Sequence, residues 1–159
     1  MFSLFGYYSL IFSFFLSSLI IFFSIRNFRD TFKFDKRIIS LTFLQLLLVV
    51  LSFLSLIISF VNSDFSNETV YNHSHTTKPL FYKISGTWGN HEGSLLLWLL
   101  VLTLFIFLFI LNSKDQPKKY RILTLLFQQI IITGFFVFLI KTSNPFNYIY
   151  PIPVEGLGL

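Results

Sequence analysis

The chain contains no cysteine, no alanine and few charged residues. Each shortage limits the kind of protein that the chain can be. Without cysteine, disulfides, thiolate metal sites and thiol catalysis are excluded. Only 12% of the 159 residues are charged, which is about half the share in a typical soluble domain. The missing alanine has no physical reason in a membrane, where small residues favour close helix packing. Alanine codons are rich in G and C, so a genome biased toward A and T, as in an organelle, would explain the absence.

Four long apolar runs fill most of the chain, at residues 4–25, 38–61, 95–111 and 122–140. None contains Asp, Glu, Lys, Arg or His, and each is near the roughly 20 residues that a helix needs to cross the hydrocarbon core. Only helices and closed barrels satisfy their backbone in lipid, and barrel strands would alternate polar and apolar residues. The sequence therefore predicts an all-α polytopic membrane protein, a single unit of four transmembrane helices without a soluble domain.

The charged residues predict the orientation of this unit in the bilayer. Nine basic residues lie in the connections between runs one and two and between runs three and four, whereas only Lys78, Lys83 and Lys141 lie on the opposite side. Basic loops stay on the inner side of a membrane. Both termini and the long loop at 62–93 are thus expected on the outer side. In this arrangement most of the basic residues behind the net charge of +5 lie at the membrane surface. We therefore do not expect nucleic acid as a partner.

Polar residues inside the runs indicate helix packing. Ser9, Ser13 and Ser17 recur every four residues on one face, a spacing that lets another helix approach closely. Gln128 and Gln129 lie in the middle of the fourth run. We interpret them as making interhelical hydrogen bonds, with a transport path as the alternative.

Metal and catalytic sites find little support in the sequence. The segment "HEGSL" lacks the second histidine of a zinc-protease helix, because Leu95 stands in its place. His73 and His75 form a short pair, but without cysteine and with only Glu68 as a nearby acidic residue they make a poor zinc site. We expect no metal site and no catalytic residue.

The segment "WGNHEGSLLLW" places a polar cluster directly before the third run. Tryptophans favour the membrane interface, glycines permit close packing, and a carboxylate or hydroxyl suits a helix N-terminus. His91 and Glu92 remain costly there unless they are paired. The cluster therefore predicts a rigid polar edge for docking or ligand binding, formed by Trp88, Gly89, His91, Glu92, Gly93, Ser94 and Trp98.

Four segments of the outer side resemble one family. They are "DFS" at 64–66, "KPLFYKISGTWGNHEGSLLLW" at 78–98, "SNPF" at 143–146 and "P-x-P-x-E-G" at 151–156. In this order they are similar to the N-terminal part of CcmF, the large haem lyase subunit of bacterial and mitochondrial cytochrome c maturation. The resemblance marks a second outer-face motif, formed by Asp64, Phe65, Ser66, Asn144, Pro145 and Phe146.

The resemblance implies a membrane subunit that helps to attach haem covalently to apocytochrome c on the outer face. The implied membrane is the mitochondrial inner membrane, or alternatively a bacterial inner membrane. The family's tryptophan-rich loop and haem-binding histidines do not occur in this sequence. We therefore expect this chain alone to bind no haem and to have no enzymatic activity, and we expect haem in the complete assembly.

The resemblance also implies partners. They are the remaining part of CcmF if the protein is split or truncated, other cytochrome c maturation proteins and, indirectly, apocytochrome c and haem. A small structural subunit of a respiratory-chain complex is the alternative function, because it would share the hydrophobic composition. Such a subunit would not need the "WGNHEGS" segment.

Overall fold

The computed structural model describes residues 2–29 and 36–158, which form helices and connecting loops with one isolated antiparallel bridge between Asn67 and Tyr148. The connection at 30–35, which holds Lys33 of the predicted basic loop, lies outside the described residues. The helices are α1 (Phe2–Arg29), α2 (Lys36–Val61), α3 (Glu68–His73), α4 (Leu80–Gly86), α5 (His91–Asn112) and α6 (Lys118–Lys141).

The predicted fold class is confirmed. Helices α1, α2, α5 and α6 are each long and apolar enough to cross a membrane. They extend beyond the apolar runs that predicted them, because polar and basic residues at their ends continue the helical hydrogen bonding. Two features were not expected from the sequence: the short helices α3 and α4 lie within the long loop between α2 and α5.

The four long helices form a ring. Helix α1 packs against α2 and α6, and α5 packs against the same two helices. Leu10, Val49, Leu99 and Ile132 represent the four helices in the core, each at most 1% exposed. The ends of the ring differ: we call the end with residues 62–90 and 142–158 the loop end, and the end with residues 113–117 the basic end.

Hydrogen bonds from two serines and a glutamine connect the helices in the middle of the ring; such bonds were predicted for the glutamine, and close packing was predicted for the serines. Ser13 donates to the Gln45 carbonyl at 3.3 Å, and Ser17 donates to Gln129 Oε1 at 2.9 Å. Because lipid offers no hydrophobic driving force between helices, such bonds and close packing hold the ring together. The prediction is wrong for Gln128, whose Oε1 is buried with no hydrogen-bond partner in the described part of the chain.

At the basic end, Arg121 belongs to α6 and not to the connection in which the sequence placed it. Its side chain is 7% exposed. Nη2 donates to the Ile110 carbonyl at 3.0 Å, and Nε donates to Ser113 Oγ at 3.1 Å. A cation that satisfies a carbonyl in the last turn of a helix stabilises the negative end of that helix. Arg121 therefore fastens the start of α6 to the end of α5.

Candidate functional site

Asn90 organises the "WGNHEGS" segment at the loop end. Its Oδ1 accepts a hydrogen bond from Gly93 N at 2.7 Å, which caps the first turn of α5. Its Nδ2 donates to the Gly86 carbonyl at 2.7 Å. The same side chain thus joins the end of α4 to the start of α5. The sequence prediction omitted Asn90, although an asparagine directly before an acidic first turn is a recognised signal for a helix N-terminus.

Gly93 is required by a close approach of the backbone. A Cβ atom built there would lie 1.6 Å from the Thr87 carbonyl oxygen. Gly89, in contrast, is exposed, and the atoms nearest to its built Cβ belong to the adjoining turn. Gly89 and Gly93 do not share one packing face, because α4 ends at Gly86 and α5 begins at His91.

His91 and Glu92 do not pair with each other. Successive residues of a helix point about 100° apart, so neighbours in sequence do not face one another. The exposed His91 ring meets the edge of Phe138 on α6, with ring centroids 6.5 Å apart, and Glu92 is half-buried in the first turn. Within residues 2–29 and 36–158, neither side chain forms a hydrogen bond or an ion pair. Both groups therefore remain open to a partner from another segment.

The two tryptophans lie at different depths. Trp88 is 42% exposed and precedes α5, whereas Trp98 is 60% exposed and lies two turns inside the helix. At 1.5 Å per residue, Trp98 is about 10 Å further along the axis than His91. Ser94 donates to the His91 carbonyl at 2.9 Å and does not cap the helix, since that role belongs to Asn90. Trp88 and Trp98 thus lie on either side of the start of α5, which begins four residues earlier than the apolar run predicted.

The second motif consists of two local turns. Asp64 Oδ1 accepts from Ser66 Oγ at 2.5 Å, and Asn144 Oδ1 accepts from the Phe146 N–H at 3.0 Å. Such contacts are typical of turns that begin with Asp or Asn. The phenyl ring that follows each of these residues is buried: Phe65 and Phe146 are each 6% exposed. Pro145 supplies a backbone carbonyl as an acceptor.

Asn67 brings these two turns together across the chain. It is fully buried, and its Nδ2 donates to the Pro145 carbonyl and to Ser3 Oγ, both at 2.9 Å. Its Oδ1 accepts from Val70 N at 3.2 Å and caps α3. Backbone bonds from Glu68 N to the Asn147 carbonyl and from Ile149 N to the Ser66 carbonyl, both 2.9 Å, complete the contact. No pattern in the sequence around Asn67 indicated this connecting role, so it was missed.

The C-terminal tail is held against the long loop. Leu157 N donates to the Tyr71 carbonyl at 2.8 Å, and Gly158 N donates to the Ser74 carbonyl at 3.1 Å. A Cβ at Gly156 would lie 2.1 Å from that same Ser74 oxygen, which explains the glycine of "P-x-P-x-E-G". Loop and tail thus form one packed layer over the end of the helix ring.

Glu155 anchors this tail through its carboxylate. The two oxygens accept from Thr76 N at 2.9 Å and from Thr76 Oγ1 at 2.7 Å. These hydrogen bonds, the side-chain one first, lower the pKa of Glu155. His75 Nε2 lies 3.7 Å from Oε1 of the same carboxylate. Of the described residues, no three His, Asp or Glu side chains form a group suited to a metal ion.

The outer surface of this layer carries several exposed apolar side chains. Phe81 and Tyr82 on α4 are 77% and 62% exposed, and Tyr150 and Val154 on the tail are 85% and 95% exposed. Lys83 Nζ donates to Ser63 Oγ at 2.7 Å, which ties α4 to the turn after α2. The layer is therefore rigid underneath and apolar on top, an arrangement suited to contact with another surface.

Comparison with known proteins shows that the chain is similar to part of much longer proteins. No model of a protein family matches it. It is 48% identical over 115 residues to the cytochrome c-type biogenesis protein CycK of Bradyrhizobium diazoefficiens, and 47% identical over 113 residues to CycK of Rhizobium meliloti. It is 41% identical over 110 residues to cytochrome c-type biogenesis protein CcmF of Haemophilus influenzae. These matches cover 69% to 72% of this chain but only 17% of each relative.

A solved structure agrees with these relatives. The chain superposes on part of the cytochrome c haem lyase CcmF with a TM-score of 0.81 and 27% identity, over 92% of this chain and 25% of that protein. The resemblance to CcmF that the four segments at 64–66, 78–98, 143–146 and 151–156 indicated is confirmed. This membrane protein belongs to the CcmF family of cytochrome c-type biogenesis proteins, and it spans 17% of the length of the relatives named above.

Proposed function

We propose that this chain is a membrane subunit of the cytochrome c maturation system and helps a haem lyase assembly to attach haem to apocytochrome c. The observation that carries this proposal is the agreement of its fold with part of a haem lyase, a TM-score of 0.81 over 92% of the chain. The matched segments of the long loop also lie in one packed layer with the tail. A respiratory-chain structural subunit would give no reason for this layer.

The loop end is the docking surface in this proposal. Its partners are the remaining section of a CcmF protein and other cytochrome c maturation proteins. The rigid layer beneath it is fixed by Asn67, Asn90 and Glu155, so the exposed groups are held in place before a partner arrives. His91 and Glu92, which have no partner in the described residues, would supply polar contacts, and Trp88 would supply an apolar one.

In the proposal, haem is bound by the complete assembly and this chain has no catalytic activity of its own. The four long helices contain no histidine within their apolar runs, and the chain contains no cysteine. His91 is placed at the start of α5, where it packs on Phe138. Its role in the proposal is contact with a neighbouring segment and not ligation of haem iron.

The proposed location is an inner membrane that carries out cytochrome c maturation. The nine basic residues against three support an arrangement with the loop end, both termini included, on the outer side. The absence of alanine supports a mitochondrial inner membrane, while the bacterial relatives support a bacterial one.

Co-purification tests the docking role. The section of a CcmF protein that this chain does not match is tagged and expressed together with the chain, and maturation of a reporter cytochrome c is measured. Glu92→Gln and Trp88→Ala should lower both co-purification and maturation while membrane insertion is unchanged. Lys114→Gln, an exposed change at the basic end, is the control. Full assembly and full maturation in both loop-end variants would show that this surface does not dock the assembly.

A further inference from the structure

The basic end contains a polar pocket for which the proposed function gives no role. It has a volume of about 280 Å³ and lies between the end of α5 and the start of α6. Its lining residues are Phe109, Asn112, Ser113, Gln116 and Tyr120. Both helices that form it are long and apolar enough to cross a membrane, and the pocket lies at their ends, where headgroups would be expected.

Ser113 forms the floor of this pocket. It is 6% exposed, and its Oγ accepts a hydrogen bond from Arg121 Nε at 3.1 Å. A hydroxyl that accepts in this way still has its own proton to donate to a second group. Asn112 and Gln116 are exposed at the rim, and each carries an amide with two further donors. The polar side of the pocket is therefore rich in donors.

The charge near the pocket is strongly positive. Residues 113–121 contain four basic side chains and one acidic side chain. Pro117, the N-cap residue of α6, makes no side-chain hydrogen bond to the first turn of that helix. The positive end of a 24-residue helix thus adds to the field of the lysines. The lysines and this helix end favour an anion, while Arg121 offsets the negative end of α5 at the same place.

Two aromatic residues also line the pocket. The rings of Phe109 and Tyr120 meet edge to face, with centroids 6.1 Å apart. Phe109 lies four residues before Ser113 on α5, which places it about 6 Å deeper along the helix axis. A ligand that fills this pocket therefore meets both polar donors and aromatic rings.

We propose that this pocket binds the phosphate headgroup of an anionic phospholipid. The phosphate would accept from Ser113, Asn112 and Gln116 near the lysines, and the start of the acyl chains would lie along Phe109 and Tyr120. A free phosphate would meet the same donors but would leave the aromatic rings without a contact, so the lipid fits the whole pocket. Basic pockets between membrane helices are known to bind such headgroups. This inference does not depend on the proposed function.

Native mass spectrometry of the purified chain tests the site. Phosphatidylglycerol and phosphatidylcholine with identical acyl chains are titrated separately, and inorganic phosphate is added as a competitor. We expect phosphatidylglycerol to bind more tightly. Lys119→Gln should weaken it about fivefold, which corresponds to roughly 1 kcal/mol for one lysine at a membrane surface. Gln116→Trp, an exposed change that fills the pocket, should weaken it further.

Lys141→Gln is the matched control, because Lys141 is also exposed but lies at the opposite end of α6. It should leave lipid binding unchanged. Equal binding of the two lipids, or an equal effect of Lys119→Gln and Lys141→Gln, would overturn the proposal. Full displacement of the lipid by millimolar inorganic phosphate would assign the pocket to free phosphate instead.

Discussion

Gln45 of α2 and Gln129 of α6 hydrogen-bond to each other through both amide groups. Gln129 Nε2 donates to Gln45 Oε1 at 2.8 Å, and Gln45 Nε2 donates to Gln129 Oε1 at 3.4 Å. The pair crosses the ring between two helices that are not neighbours in it. Ser17 of α1 donates to the same Gln129 oxygen. Three of the four long helices are thus joined at one fully buried point.

Replacing Gln129 by Leu should destabilise the chain by about 2 kcal/mol or more, because the amide of Gln45 would lose its partner in an apolar interior and Ser17 would keep only its bond to Thr133. Gln128→Leu is the matched control. Since the buried oxygen of Gln128 has no partner in the described residues, its removal should be neutral or stabilising. Unfolding of both variants in detergent measures the difference. Equal loss of stability in the two variants would contradict the role of the Gln45–Gln129 pair.

Gly93→Ala should destabilise the loop end by about 2–4 kcal/mol, because the new methyl group would displace the Thr87 carbonyl and with it the Asn90 cap. Gly134→Ala on α6 is the comparison. A Cβ there meets nothing within 4 Å, so the substitution should stabilise the helix by about 0.5–1 kcal/mol. Thermal unfolding of both variants checks the signs. A tolerated Gly93→Ala would mean that the close approach at Thr87 relaxes easily.

A comparison of Gly93 with Gly89 shows what the sequence could and could not predict. Apolar runs without charges predicted the four long helices, because lipid leaves the backbone little choice. The spacing of Ser9, Ser13 and Ser17 predicted a face where another helix packs closely, and all three serines are buried. The positions of Gly89 and Gly93 look alike in sequence, yet a Cβ would lie 3.3 Å from the nearest carbonyl oxygen at Gly89 and only 1.6 Å from it at Gly93. That distinction depends on how Asn90 connects the end of α4 to the start of α5.

The sequence predicted most residues of the candidate site but not the contacts that join them. "DFS" and "SNPF" are about 80 residues apart, and no local pattern indicates that Asn67 joins them. Asn67→Asp tests this connection: the carboxylate still caps α3 at Val70 N but has no proton to donate to Pro145 and Ser3. We expect a loss of about 1–3 kcal/mol and faster proteolysis of the tail.

Asn72→Ala is the control for that experiment, because Asn72 is half-buried in the same loop and makes no hydrogen bond through its side chain in the described residues. It should change stability by less than about 0.5 kcal/mol. If Asn67→Asp behaved in the same way, the bonds to Pro145 and Ser3 would not hold the tail.

The attachment of the tail should depend on pH through Glu155. Its pKa is lowered from 4.5, so the ionised carboxylate stabilises the attached tail at neutral pH. This contribution is lost as the pH falls through the lowered pKa. A spin label on a cysteine at Val154, which is 95% exposed, should become more mobile only below pH 4.5.

Two variants distinguish the contribution of the Glu155 carboxylate from that of His75. Glu155→Gln should abolish the pH-dependent step, because no carboxylate remains to be protonated. His75→Asn should retain the step, since the Thr76 hydrogen bonds are the main cause of the lowered pKa. A step that vanished with His75→Asn and persisted in Glu155→Gln would assign the effect to the histidine.

The proposed orientation can be measured directly, because the natural chain has no cysteine to interfere. Single cysteines at Val154 and at Lys114 are treated with a thiol reagent that does not cross membranes. We expect labelling from outside only at Val154. The reverse pattern would invert the topology. Ser74 and Ser113 are unsuitable for this purpose, since both are buried.

The contact of Arg121 with the end of α5 has a consequence for biosynthesis. In the folded chain the Ile110 carbonyl accepts a hydrogen bond from the Arg121 guanidinium. Until Arg121 has been translated, this carbonyl lacks that donor. The 22 residues of α5 therefore reach their final end structure only together with the first turn of α6. We expect the insertion machinery to release the two segments into lipid as one helical hairpin, and an early stop before Arg121 should leave α5 frayed and sensitive to quality-control proteases.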